Sequence, residues 1–267
     1  MSEHHSDPDR ETSPEVASNR VRLTEFPKDY RHLSISRWVE NKIETFTRPT
    51  TSALDSQSRY YDSLVERFFP KHRDASILEL GCGWGPLVYC LKRHGYRNIE
   101  AIDVIAQCCE FVGKELGVDA QNTDLLEFLD RRAKTYDVIA AFDVIEHFTK
   151  DEIVAITTVI HETLAPGGVF VFRVPNGASL GGLAIRYSGF THEVAFTRQS
   201  VDELLRVAGF EKAVCVPEPV HARNPVHRAL RRTARAFSGF VLSALTSFYL
   251  DRRFVTSNNV IGVGFKA

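Results

Sequence analysis

Residues 76–86, Ser-Ile-Leu-Glu-Leu-Gly-Cys-Gly-Trp-Gly-Pro, decide the fold. Ser76 to Leu80 is a short apolar run of strand type, interrupted only by Glu79. Gly81-x-Gly83-x-Gly85 follows, and Pro86 suits the first turn of a helix, where its missing N–H costs nothing. Strand, glycine turn and helix start together expose backbone N–H groups to a polar or anionic ligand. The turn has no Lys-Ser/Thr ending, which excludes a phosphate loop of the nucleoside-triphosphatase type. Its third glycine follows the second by two positions, whereas a dinucleotide-binding fingerprint needs three.

On either side of this turn the chain alternates short apolar strands with helical segments. Downstream come a strand at 98–103, a helix near 106–116, a strand around 118–121 and a segment at 124–132. A strand at 136–142, a helix at 151–164 and a strand at 167–174 follow. That alternation predicts an α/β, Rossmann-like, doubly wound sheet with helices on both faces. Residues 211–216 and 258–267 add two strands, for seven in a mainly parallel sheet. Thr197 is a helix cap, with the helix ended by Gly209. Residues 175–196 read as a long Gly-rich connection. Residues 1–20 read as a disordered tail, 21–74 as a helical cover and 218–255 as a helical insertion, all within one domain spanning 21–267. Tyr60, Tyr61, Leu64, Val65, Phe68 and Phe69 form a helical stripe in that cover.

Bulk composition is that of a globular protein: 43% hydrophobic, 25% charged and a net charge of −1, with no global field for nucleic acid or membrane. Five cysteines follow no disulfide or zinc spacing, and the N-terminus lacks the apolar run of a signal peptide, so a cytoplasmic setting is expected. Charge is nonetheless uneven. Between Pro219 and Leu250 there is no Asp or Glu, while Arg223, Arg228, Arg231, Arg232 and Arg235 precede a run of Phe, Leu and Val. This insertion reads as a lid, with two functional alternatives. One is docking of a phosphate- or lipid-linked acceptor; the other is peripheral contact of residues 222–250 with the inner face of a membrane.

Three carboxylates accompany the glycine turn: Glu79 before it, Asp103 ending the second strand and Asp124 just past the third. A carboxylate ending the second strand suits ribose hydroxyls. One beyond the third suits an adenine amino group, and Glu79 suits a cationic ligand better than a pyrophosphate. In this order they resemble the motifs of class I methyltransferases, over about residues 75–210. YDVIAAFDVIEHF (136–148) and LAPGGVFVFRVPN (164–176) are similar to ubiquinone-type O-methyltransferases. FTHEVAFTRQSVDELLRVAGF (190–210) and VTSNNVIGVGFKA (255–267) resemble methyltransferases of bacterial polysaccharide and glycan biosynthesis.

The resemblance implies S-adenosylmethionine as donor and S-adenosylhomocysteine as product. It implies that Glu79, Gly81, Cys82, Gly83 and Gly85 line the methionine end, with Asp103 and Val104 at the ribose. Asp124 and Leu125 would take the adenine, and Phe142 the fourth-strand side. The implied reaction is O-methylation of a sugar hydroxyl on a glycan precursor. Alternatives are a small phenolic, quinone-like or natural-product acceptor, and a non-catalytic cofactor-binding protein. Removing a hydroxyl proton needs a base, for which His192 and His147 are the candidates, with Asp143 beside them. No metal ligand is assigned. The minority reading is that Asp143, Glu146 and His147 hold Mg²⁺, after the Glu-x-x-Glu-His set of some ubiquinone-type relatives. The other histidines, His94 included, read as surface residues.

Overall fold

A computed structural model describes residues 48–131, 134–220, 224–247 and 255–267. The expectations for the tail and for 21–47 lie outside these. A seven-stranded sheet of order β3-β2-β1-β4-β5-β7-β6 forms the centre. Its strands are β1 (Ser76–Leu80), β2 (Asn98–Asp103), β3 (Asp119–Asn122), β4 (Tyr136–Phe142), β5 (Leu164–Pro175), β6 (Lys212–Pro217) and β7 (Asn259–Phe265). The first five pair in parallel, and β7 runs antiparallel to both β5 and β6. The strand order reverses between β1 and β4, which opens a crevice at the carboxyl ends of those strands.

Nearly every residue of β1, β4 and β5 from Val169 onward is buried, because helices cover both faces. One face packs Leu78, Leu80, Ile139 and Phe170 against α6 (Lys150–Thr163) and α8 (Arg198–Val207). The other packs Ile77, Val138, Val171 and Val263 against α3 (Pro86–Arg93) and α4 (Ala106–Leu116), with α1 (Thr51–Ser58) and α2 (Asp62–Phe68) adding Leu54 and Leu64. A capping box starts α6, with Thr149 and Glu152 exchanging bonds, and Thr197 with Ser200 starts α8 as the sequence predicts.

Three expectations change. The stripe from Tyr60 to Phe69 is not one helix: Tyr60 and Tyr61 lie in the turn between α1 and α2, and the helix starts at Asp62. The connection after β5 contains a short helix, α7 (Gly182–Arg186), and is tied down where Asn176 bridges Phe196. His94 is no surface residue, since its Nε2 lies 2.9 Å from Asp62 Oδ1, which also bonds Arg93 and lies 3.5 Å from Cys90 Sγ. α5 (Leu125–Arg131) and α9 (Pro225–Ser247) fall where a segment and an insertion are expected. Among the described residues no helix is long and apolar enough to cross a membrane.

Candidate active site

The glycine turn is built from β1 and β2 together. Gly81 and Cys82 both donate to Ile102 O, at 2.9 and 3.0 Å, and Gly85 N donates to Cys82 O. Gly81 has φ +71° and Gly83 φ +50°, the left-handed region that glycine enters without strain. The two differ in surroundings. A Cβ on Gly81 would lie 2.5 Å from Val144 Cγ2, whereas one on Gly83 would meet no described residue within 4 Å. Gly83 is therefore the face open to a ligand, while the space beside Gly85 is filled by Leu116 and Val112. Cys82 is buried and contributes only backbone to the turn's surface.

Asp103 staples the turn. Its Oδ2 accepts from Gly83 N at 2.7 Å and its Oδ1 from Ile105 N at 2.8 Å, while burial raises its pKa despite these bonds. Val104 beside it is exposed. Glu79 is buried, and among the described residues its Oε2 has no hydrogen-bond partner. Burial, then the nearby Asp103 charge, holds its carboxyl well above the usual range. A buried, unsatisfied acidic oxygen beside an open glycine turn fits a cationic amino-acid end such as that of S-adenosylmethionine. Asp124 caps α5, its Oδ1 accepting from Leu126 N at 2.8 Å and Glu127 N at 3.3 Å, and Leu125 is buried behind it.

Across the crevice, the chain leaving β4 carries the other candidates. Phe142 is buried against Tyr61, rings 4.9 Å apart and edge to face. Asp143 is the described non-glycine residue with positive φ, at +58°, and its carboxylate receives both Nε and Nη2 of Arg173. Arg173 also lies over the Tyr60 ring and 3.8 Å from Glu218 Oε1, to which Tyr60 Oη donates. A one-turn 3-10 helix, Ile145–His147, then brings His147 to His192, with ring centroids 4.9 Å apart. His147 Nδ1 faces Thr191 O at 3.3 Å and His192 Nδ1 faces Ile185 O at 3.1 Å. A carbonyl only accepts, so each Nδ1 is the donor in these contacts and carries a proton. Glu146 is buried beside them, its Oε2 without a partner among the described residues, and burial, with Asp143 nearby, pushes its pKa up to about 8.

The fold thus gathers Glu146, His147 and His192, whose ligand atoms lie within 4.8 Å of one another, and turns Asp143 away to Arg173. The Asp143–Glu146–His147 set considered for Mg²⁺ is not the set brought together. Two imidazoles and a carboxylate would suit a first-row transition ion better than Mg²⁺. Tyr60, Tyr61, Arg173 and Glu218 pack beside these candidates and were not named as candidates from the sequence. A lone Arg near the end of an apolar strand was the available signal.

A family model described as a methyltransferase domain matches residues 54–214. No curated protein sequence matches the chain. Among solved structures, the chain is similar to a SAM-dependent methyltransferase from Archaeoglobus fulgidus, at 17% identity and TM-score 0.57, covering 89% of this chain and 100% of that one. It is similar to the N-methyltransferase NodS from Bradyrhizobium japonicum WM9 in complex with S-adenosylhomocysteine, at 15% identity and TM-score 0.54, covering 89% and 99%. It is also similar to magnesium protoporphyrin IX methyltransferase from Synechocystis PCC 6803 with bound SAM, at 11% identity and TM-score 0.55, covering 90% and 99%. The protein is a class I enzyme that transfers a methyl group from S-adenosylmethionine. The chain belongs to the methyltransferase-domain family that this match defines.

Proposed function

We propose that the enzyme methylates a hydroxyl oxygen, with His192 and His147 as the proton acceptors. The observation that carries this reading is their pairing, each Nδ1 directed to a backbone carbonyl, beside a buried Glu146. When bound, S-adenosylmethionine supplies a methyl group on a positively charged sulfur, so the leaving group needs no activation. Gly83 and Glu79 would receive its amino-acid end, Asp103 and Val104 the ribose, Asp124 and Leu125 the adenine. On the acceptor side, the histidines hold the hydroxyl in line and take its proton as the oxygen–carbon bond forms. FDVIEHF (142–148) stands where N-methyltransferases commonly carry an Asn/Asp-Pro-Pro-Tyr/Phe segment, which favours oxygen over nitrogen.

For the acceptor, the leading reading is a sugar hydroxyl of a phosphate- or lipid-linked glycan precursor. Its support is a cavity of about 830 Å³ between α1, α2 and the end of β6, where Arg67 and Arg232 stand beside the carboxylates of Asp62 and Glu66 and an Arg59 paired with Asp55. Tyr60, which underlies Arg173, also lines it. The exposed Leu180, Leu183, Tyr187 and Phe190 of the connection that carries His192 favour the second reading, a phenolic or quinone-like acceptor. Peripheral membrane contact draws on the exposed Val226, Leu230, Phe237 and Phe240 of α9. The test is labelled methyl transfer onto cell-envelope glycolipid extracts and onto a panel of small phenols. Label in the glycolipid fraction supports the first reading, and label in the phenols alone replaces it with the second. A metal-assisted variant, with an ion on Glu146, His147 and His192, is tested by dialysis against a chelator, after which unchanged turnover removes it.

A further inference from the structure

The segment Phe142–His147 makes a different contact at almost every residue. Phe142 packs on Tyr61. Asp143 N donates to Arg173 O at 3.2 Å, and its carboxylate takes the Arg173 guanidinium in two parallel bonds. Val144 fills the space that a side chain on Gly81 would need. Ile145 is fully buried, and Glu146 O accepts from Glu193 N at 2.8 Å and Val194 N at 3.3 Å, on the strand of chain that carries His192. Six residues thus link the donor turn to both histidines, and the second of them is a left-handed Asp.

A non-glycine residue at φ +58° persists only where its surroundings hold it there. Here the holder is Arg173. Its side chain is 18% exposed and fixed from three further directions: Tyr60 below, Phe142 beside it and Glu218 opposite. A planar fork gripped in this way resists displacement, and a lysine could not reproduce the two parallel bonds.

We propose that Arg173 and Asp143 are positioning residues. Their clamp fixes the left-handed turn that carries Val144 onto Gly81 and places Glu146 and His147 against His192. Neither side chain need touch the acceptor. The inference rests on the reading that His147 and His192 face the acceptor, but one arm of its test does not depend on any acceptor.

That arm is proton NMR of the two imidazoles in the full chain. Wild type should show a nuclear Overhauser contact between the His147 and His192 rings, and Arg173→Met should lose it. The kinetic arm uses the best acceptor found. Arg173→Met should lower kcat roughly 100-fold, as for an ångström-scale misplacement, and Arg173→Lys should not restore it. S-adenosylhomocysteine affinity should change less than about threefold, because the turn that Val144 packs on is also held from β2, through Ile102 O to Gly81 and Asp103 Oδ2 to Gly83. The deciding pair is Asp143→Ala and Asp143→Gly, neither of which keeps the carboxylate. Glycine enters the left-handed region freely, so Asp143→Gly should be roughly tenfold more active than Asp143→Ala. Wild-type kcat and an intact ring contact in Arg173→Met would overturn the proposal. Equal loss in the two Asp143 variants would also overturn it, and would assign the carboxylate a direct part in the chemistry. Full activity after replacing both histidines would sink the functional reading instead, and the ring contact would still decide the clamp.

Discussion

The two sides of the crevice are built on different principles. The donor side is a local device: eleven consecutive residues supply strand, turn and helix start, and Asp103 from the neighbouring strand staples the turn through Gly83. The acceptor side is assembled from afar. His147 follows β4, His192 lies 45 positions later beyond α7, and Tyr60 with Tyr61 comes from before the sheet begins. The donor side offers backbone and two buried carboxylates, Glu79 and Asp103; the acceptor side offers side chains in a network. A site split in this way should lose its two functions separately.

The largest expected effect tests that separation. Replacing His147 and His192 together by Ala should reduce turnover by about 10²–10⁴-fold, the usual worth of a positioned proton acceptor. Calorimetric affinity for S-adenosylhomocysteine should be unchanged. A parallel fall in both would mean that the two sides are one unit and that the comparison is false.

Next in size is a contrast within the turn. Gly81→Ala meets Val144 Cγ2 at 2.5 Å and carries positive φ as well, so it should destabilise the protein by about 3 kcal/mol. Gly83→Ala has open space, so its stability cost should be only the backbone term, about 1 kcal/mol. Its loss should fall on cofactor affinity instead. Thermal unfolding and ligand titration of the two variants distinguish the packed glycine from the exposed one, and equal unfolding shifts would refute the distinction.

These contrasts also explain what could be read in advance. The strand and helix alternation, the seven strands and the caps at Thr197 and Gly209 are local patterns of burial and backbone chemistry, and the fold matches them. So is the donor turn. The pairing of His147 with His192 was legible only as two candidates, because nothing in a sequence shows that the 44 residues between them let the rings close to 4.9 Å. Asp143 shows the same limit: its partner is Arg173, which sits on another strand and which periodicity marks only as an anomaly. Tyr60 and Tyr61 were misread because their spacing matches a helix that tertiary packing does not allow to start before Asp62.

Glu79 gives a pH-dependent test of the donor side. Burial and Asp103 raise its folded pKa above the unfolded value, so the unfolded chain releases this proton first. The contribution of Glu79 to stability is therefore present in acid and is lost as pH rises from about 4.3 toward its elevated folded value. Glu79→Gln should remove that decline, so variant and wild type converge in acid and the variant is the more stable at neutral pH. It should bind S-adenosylhomocysteine on the order of tenfold more weakly, since the buried oxygen no longer meets the ligand's ammonium as an anion. Unchanged affinity would take Glu79 out of the donor site.

The smallest effect concerns Asp124, where a structural and a binding role share one carboxylate. Its Oδ1 caps α5 through Leu126 N and Glu127 N, so Asp124→Ala should cost about 1 kcal/mol of stability whether or not a cofactor binds. Asn caps nearly as well as Asp, so Asp124→Asn should restore that stability. The two variants then separate the roles. If the second oxygen accepts from the adenine amino group, Asp124→Asn can keep the cap and still weaken S-adenosylhomocysteine several-fold, because an amide nitrogen turned to that position donates where an acceptor is needed. If Asn restores both stability and affinity, Asp124 serves the helix alone, and the donor side reduces to Glu79, the glycine turn and Asp103.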